Sequence, residues 1–323
     1  ETNNPLRPIR LLAHSMGGLV TRALIHQNPQ LWDELMGRAG ARFIMLGTPN
    51  QGAHSMVEAL LGKSDTLRSL ARVDLQHDLQ AILNIIGEFR GALQLLPKTG
   101  FRDVGETPFD EYYSVTRWSA LKAEMKDFWF GDRVAAVPSD AALSQGKWLW
   151  DRDGLATPSL PERHAEKTIY VHGSAPLTAC GIQKVDDRWK MIGTNEGDGT
   201  VTWKSGAISG IARRYYMPAV HGDLAATPEY FAGIAELLQS GATNQLQDRA
   251  PEVRDAEAAK PKPYEPGPPR YAMPEEAAHA LMGAPKRKRL KARPVSTLKV
   301  IVKAMDLRFV TQPIMVGHYE QDA

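Results

Sequence analysis

A serine becomes a nucleophile at neutral pH only when a base takes its proton and an acid orients that base. One segment of this 323-residue chain is built to present such a serine: Leu11-Leu12-Ala13-His14-Ser15-Met16-Gly17-Gly18-Leu19-Val20. An apolar run ends at Ser15 and a helical pattern begins after it, which places Ser15 on a sharp strand-to-helix turn. Residues two before and two after such a serine crowd each other, and Ala13 and Gly17 are small enough to sit there. The same turn puts the Met16 backbone N–H at a helix N-terminus, where it can donate to a developing oxyanion. Small-x-Ser-x-small also arises by chance. The strand before this copy, and the helix with a second glycine after it, set it apart.

The strand-to-helix architecture expects the chain order Ser, acid, His. The acid candidate is Asp198 in Asn195-Glu196-Gly197-Asp198-Gly199-Thr200-Val201, where glycines on both sides let a loop fold tightly and turn a carboxylate inward. The plain alternative is an ordinary Asp-Gly turn, and Glu196 and Asp187 are weaker rivals. The base candidate is His221 in Pro218-Ala219-Val220-His221-Gly222-Asp223-Leu224, past a strand and before the last helix. His172 also ends a strand, but it precedes Asp198 and breaks the order. His14 adjoins the nucleophile, so its side chain is expected to point away from Ser15. His26, His54, His77, His164, His279 and His318 read as surface or packing residues.

The elements that must position these residues follow from hydrophobic periodicity. Short apolar strands are expected at residues 9–13, 42–46, 168–171 and 214–217, the second closed by Gly47-Thr48-Pro49. Helices are expected at 19–25, ending at Asn28-Pro29, and at 228–238. Residues 56–96 carry leucines and isoleucines at helical periods, for example Leu79, Ile82, Leu83 and Ile86. Continuous apolar strands alternating with helices predict an α/β fold with a parallel sheet covered on both faces. The insertion at about 53–165 is expected to be a largely helical lid. It holds Trp118, Phe128, Trp129, Phe130, Trp148 and Trp150, which either line an acyl-chain groove or form the lid's own core.

Composition narrows the function classes. Apolar residues are 43% and charged residues 24%, ordinary globular usage. A net charge of +2 gives no general reason for a nucleic-acid or anionic-membrane partner. The single cysteine, Cys180, excludes a disulfide within the chain and a zinc site built on several cysteines. It also leans the localisation towards a reducing cytoplasm. No apolar run approaches the ~18 residues that cross a bilayer. No ligand spacing for a metal or organic cofactor is present, so none is expected.

Residues 251–323 differ in character, holding 10 of the 22 prolines and 13 basic against 9 acidic residues. Residues 246–294 read as a Pro-rich and basic linker, extended across 261–269, with a short helix at 274–282. The basic cluster at 286–291 reads as solvated rather than as a nucleic-acid site. Residues 298–316 alternate like two strands, so 295–323 is expected to open a further β-containing domain.

Taken together, the segments at 13–18, 197–201 and 221 resemble the lecithin:cholesterol acyltransferase-like and lipase-like branch of the α/β-hydrolase superfamily. Gly47-Thr48-Pro49-Asn50-Gln51-Gly52 is similar to that branch's Gly-Thr-Pro-x-x-Gly element. The resemblance covers about residues 6–240, within an expected catalytic domain at 1–245. It implies Ser15 as nucleophile, Asp198 as acid and His221 as base, acting on an ester or lipid-like substrate. Members of the branch carry strands ahead of the nucleophile, including the loop that gives a second oxyanion-hole N–H. The resemblance therefore implies that those N-terminal strands are missing, that this is a fragment, and that further domains flank it. Over a short stretch, residues 295–323 resemble a segment that follows hydrolase domains in some large bacterial proteins with CHAT-type protease regions. The expected function is a serine esterase or lipase-like hydrolase of carboxylic esters. The alternatives are an acyltransferase on the same triad and a non-catalytic module of a larger protein. A degenerate module usually loses a triad member, and all three are present here.

Overall fold

The computed structural model describes residues 7–74, 76–104, 111–151, 155–251 and 260–267. The chain runs β1 (Arg10–His14), α1 (Met16–Gln27), α2 (Pro29–Gly37), β2 (Arg42–Leu46), then six helices of the insertion. These are α3 (His54–Leu60), α4 (Asp65–Val73), α5 (Leu79–Ile86), α6 (Arg90–Leu93), α7 (Val115–Glu124) and α8 (Asp140–Asp151). There follow β3 (Thr168–His172), β4 (Thr178–Val185), β5 (Arg188–Thr194), α9 (Trp203–Gly206), β6 (Arg213–Tyr216), α10 (Phe231–Ser240) and β7 (Lys262–Tyr264). The expected short helix at 274–282, the basic cluster at 286–291 and the strand-like run at 298–316 lie outside the described residues.

Strands β1, β2, β3 and β6 form a parallel four-stranded sheet in that order. Alternation along β2 shows why both faces are covered. Ile44 and Leu46 pack with Ile169, Val171, Ile234 and Leu237 under α10. Phe43 and Met45 turn the other way, onto Ile25 of α1 and Trp32 and Met36 of α2. Strands buried on two faces need apolar residues on both sides of the chain, which Phe43–Leu46 of β2 and Ile169–Val171 of β3 supply. At about 1.5–3 kcal/mol for each large side chain withdrawn from water, the two layers hold the sheet firmly.

A second, antiparallel sheet in the order β4-β5-β7 was not anticipated from the sequence. Its residues Ala179, Ile182 and Met191 share one buried cluster with Val57, Leu60, Leu83, Trp118 and Leu121 of the insertion. The insertion is therefore largely helical, as expected, and it packs on this sheet as a core of its own. Residues 262–264 fall in the stretch expected to be an extended linker. They are extended, and they pair with β5 as an edge strand, the one sheet position that tolerates Pro263.

Candidate active site

The parallel sheet delivers its turns to one edge. Ser15 follows β1, Gly47 follows β2, Gly173 follows β3, and His221 comes five residues after β6. Ser15 adopts φ 55° and ψ −127°, a conformation that costs a non-glycine residue of order 1–3 kcal/mol. Its amide donates to the Leu46 carbonyl at 2.9 Å, which ties the turn to the neighbouring strand. A β-carbon at Gly17 would lie 3.7 Å from that of Ala13, an ordinary van der Waals contact, so the expected crowding of these two positions is not seen at this pair. A side chain at Gly18 would collide with Thr48, so the first turn of α1 sits flush against the loop after β2. Met16 opens α1, where the leading N–H groups have no acceptor within the helix.

Ser15 Oγ lies 2.8 Å from His221 Nε2, and His221 Nδ1 lies 2.8 Å from Asp198 Oδ2. With Nδ1 protonated and donating to the carboxylate, Nε2 is left to accept the Ser15 hydroxyl proton. Asp198 is 2% exposed. Its Oδ1 accepts the backbone N–H of Thr200 at 3.0 Å and of Val201 at 2.7 Å. Its own carbonyl accepts the His221 amide at 2.8 Å. The loop thus folds around its own carboxylate and grips the histidine twice. The flanking glycines behave as the sequence suggested, with Gly199 at φ +92°.

Two further glycines make room for the pair, and their part was not seen in the sequence. Gly47 has φ +57°, and a β-carbon there would stand 2.8 Å from Asp198 Oδ2 and 3.1 Å from His221 Nδ1. A β-carbon at Gly173 would stand 2.7 Å from Asp198 Cβ. The sequence signal for Gly47 was its place directly after an apolar strand, in register with Ser15. Nothing in its own neighbourhood pointed to Asp198.

The structure corrects the expectation for His14. Its ring does not turn away from the site but lies 4.9 Å from the His221 ring, and its Nε2–H donates to the His221 carbonyl at 2.8 Å. Burial lowers its pKa below the ordinary histidine value, partly opposed by that hydrogen bond. The weaker candidates are elsewhere. Asp187 is exposed in the β4–β5 turn and pairs with Lys184 at 3.0 Å. His172 is buried and stacked on Tyr216 at 5.0 Å, and burial lowers its pKa to about 3. Glu196 uses its backbone carbonyl to accept the Trp203 amide at 2.9 Å.

The insertion reaches this region through a buried polar contact. Thr202 Oγ1 donates to Asp103 at 2.8 Å and accepts the Ser205 amide at 3.0 Å, capping α9 four residues after Asp198. Asp103 also faces His54 Nδ1 at 3.4 Å. Of the insertion's aromatic residues, Trp118 and Trp150 are buried, whereas Phe128, Trp129 and Trp148 are exposed. Among the described residues no helix is long and apolar enough to cross a membrane, and no cluster of three metal-ligating side chains occurs.

No family model matches the chain, and no curated protein matches its sequence. Among solved structures, the chain is similar to one from the crystal structure of the Tle4–Tli4 complex, at 13% identity and a TM-score of 0.33. That alignment covers 86% of this chain and 52% of the other, so this chain spans about half the length of its neighbour.

Proposed function

We propose that the protein is a serine hydrolase of carboxylic esters, with Ser15 as nucleophile, His221 as general base and Asp198 as orienting acid. The observation that carries this reading is the unbroken chain of two 2.8 Å contacts from the Ser15 hydroxyl to a buried carboxylate. It begins on a serine whose backbone is held at positive φ.

In the reaction, Ser15 Oγ attacks the ester carbonyl carbon as its proton passes to His221 Nε2. Asp198 holds the imidazole in the reactive tautomer and stabilises the imidazolium. The Met16 N–H donates to the oxyanion as it forms, a contribution of about 2.7–4 kcal/mol for one such donor elsewhere. Collapse of the tetrahedral species breaks the carbon–oxygen bond, and His221 gives its proton to the leaving alkoxide. Water, deprotonated by His221, then attacks the acyl carbon; the bond to Ser15 Oγ breaks and His221 returns the proton to that oxygen as the acid leaves. An alcohol taking the place of water would make the same site an acyltransferase.

The test is labelling by a fluorophosphonate, which needs an activated serine and no knowledge of the ester. The intact chain is expected to label, and Ser15→Ala and His221→Ala are expected not to. A folded protein that stays unlabelled would sink this reading and leave a module that binds without catalysis.

A further inference from the structure

His221 opens a three-residue 3-10 turn, His221–Asp223, beyond β6. The turn has little side-chain packing of its own. Val220, Gly222 and Asp223 are exposed, and the buried side chains nearest in sequence are Ala219 and Leu224. Hydrogen bonds must therefore do most of the holding, and a general base misplaced by about 1 Å can lose 10²-fold in rate.

The backbone amide of His221 is fixed by the Asp198 carbonyl at 2.8 Å. Its backbone carbonyl has only a long contact within the turn, from the Leu224 amide at 3.4 Å. The short bond to that carbonyl comes from His14 Nε2 at 2.8 Å. A carbonyl can only accept, so this nitrogen carries a proton whatever the charge on the ring. The His14 ring also lies 4.9 Å from the His221 ring, tilted by 38°, at an ordinary spacing for two packed rings.

Successive side chains of a strand face opposite ways. The positive φ of Ser15 ends that alternation, and two consecutive residues reach the same histidine. Ser15 meets the His221 ring edge, and His14 meets its backbone and one side of its ring. The nucleophile and the brace on its base thus belong to one strand end, so a small movement of that end carries both. Burial keeps the His14 pKa below the ordinary histidine value, with the bond to His221 opposing it. Near pH 7 the His14 ring is neutral and adds no positive charge beside an imidazolium at His221.

We propose that His14 is a positioning residue, which holds the backbone of His221 so that its ring bridges Ser15 and Asp198. Its part in catalysis rests on the serine-hydrolase reading, whereas the holding of the ring does not.

The proton between His221 Nδ1 and Asp198 reports the ring's position without any reaction. In the full chain it should give a far-downfield proton NMR resonance, assigned by its absence from His221→Ala. His14→Phe keeps a ring against His221 but donates nothing. It should lose that resonance to exchange with water and slow fluorophosphonate labelling by about 10²-fold. His14→Gln places an amide N–H at similar reach and should restore most of both, which mere filling of space would not do. Thermal melts show which variants fold. Should His14→Phe fail to fold, His14→Asn, whose amide falls short of the carbonyl, takes its place with the same expected losses. A folded His14→Phe or His14→Asn that keeps the resonance, or that labels as fast as a labelling wild type, overturns the proposal. A wild type without the resonance overturns it too, because its ring is not held. A wild type that shows the resonance, loses it in His14→Phe and never labels upholds the positioning and sinks the hydrolase reading alone.

Discussion

In the parallel layer, β2 and β3 bury apolar side chains on both faces, and most polar groups enter only at the turns on the C-terminal edge. The layer built from the insertion and the antiparallel sheet is different, since His54, Lys63, Arg68 and Asp103 are all buried within the insertion. The first layer gathers polar groups at its strand ends into one short hydrogen-bonded chain, Ser15–His221–Asp198, which is a relay if the proposed function holds. The second uses them as ties between segments, as when Asp103 holds Thr202 beside α9. Damage to the first should therefore appear in rate, and damage to the second in stability.

Asp198→Asn should produce the largest effect. The amide no longer accepts from His221 Nδ1–H, the tautomer is lost, and fluorophosphonate labelling should slow by about 10⁴-fold with the melting temperature nearly unchanged. Trp118→Ala should do the reverse. Trp118 is fully buried and donates its Nε1–H to the Tyr112 carbonyl at 2.8 Å, so truncation should cost about 3–5 kcal/mol in urea unfolding. The molecules that remain folded should still label. If labelling falls as far as it does for Asp198→Asn, the distinction between the layers is wrong.

Gly47→Ala sharpens the comparison, because it adds one carbon between Asp198 and His221 and forces a side chain into φ +57°. A displacement of that kind should slow labelling by about 10²-fold. The smallest effect is in the second layer and depends on pH. Glu58 ionises at about 7 when folded against 4.5 when free, so the unfolded chain sheds this proton first. Its contribution to stability is complete below pH 4.5 and fades as pH rises towards 7. Glu58→Gln cannot ionise and still accepts from Tyr264. The melting temperature of the variant should therefore gain on the wild type between about pH 5 and 8; parallel curves would show that Glu58 is not held protonated.

The same division governs what could be read from the sequence. Strands β2 and β3 are legible because burial on two faces demands apolar runs, β1 by its short apolar run although Leu12 is exposed, and the turn at Ser15 because it restricts residues on both sides. Asp198 and His221 are legible through their loops. The β4–β5 hairpin escaped because its pairing slips between Ala179 and Gly181, which breaks the alternation a strand needs to be noticed. Strand β7 escaped because Pro263 argues against a strand at all but an edge. Trp148 and Trp150 stand two apart on α8, one exposed and one buried, and composition treats them alike. His14 could not be placed because its partner is the backbone of a residue 207 positions away.

The contact between Ser15 and His221 spans 206 residues, and that separation has a meaning in time. A ribosome adding about 5–20 residues each second needs roughly 10–40 s after Ser15 to make its base. Throughout that interval the serine is an ordinary alcohol on a nascent chain. On this reading, reactivity switches on only when the last strand of the parallel sheet and the turn beyond it have docked, so the unfinished chain carries no nucleophile that could attack what surrounds it.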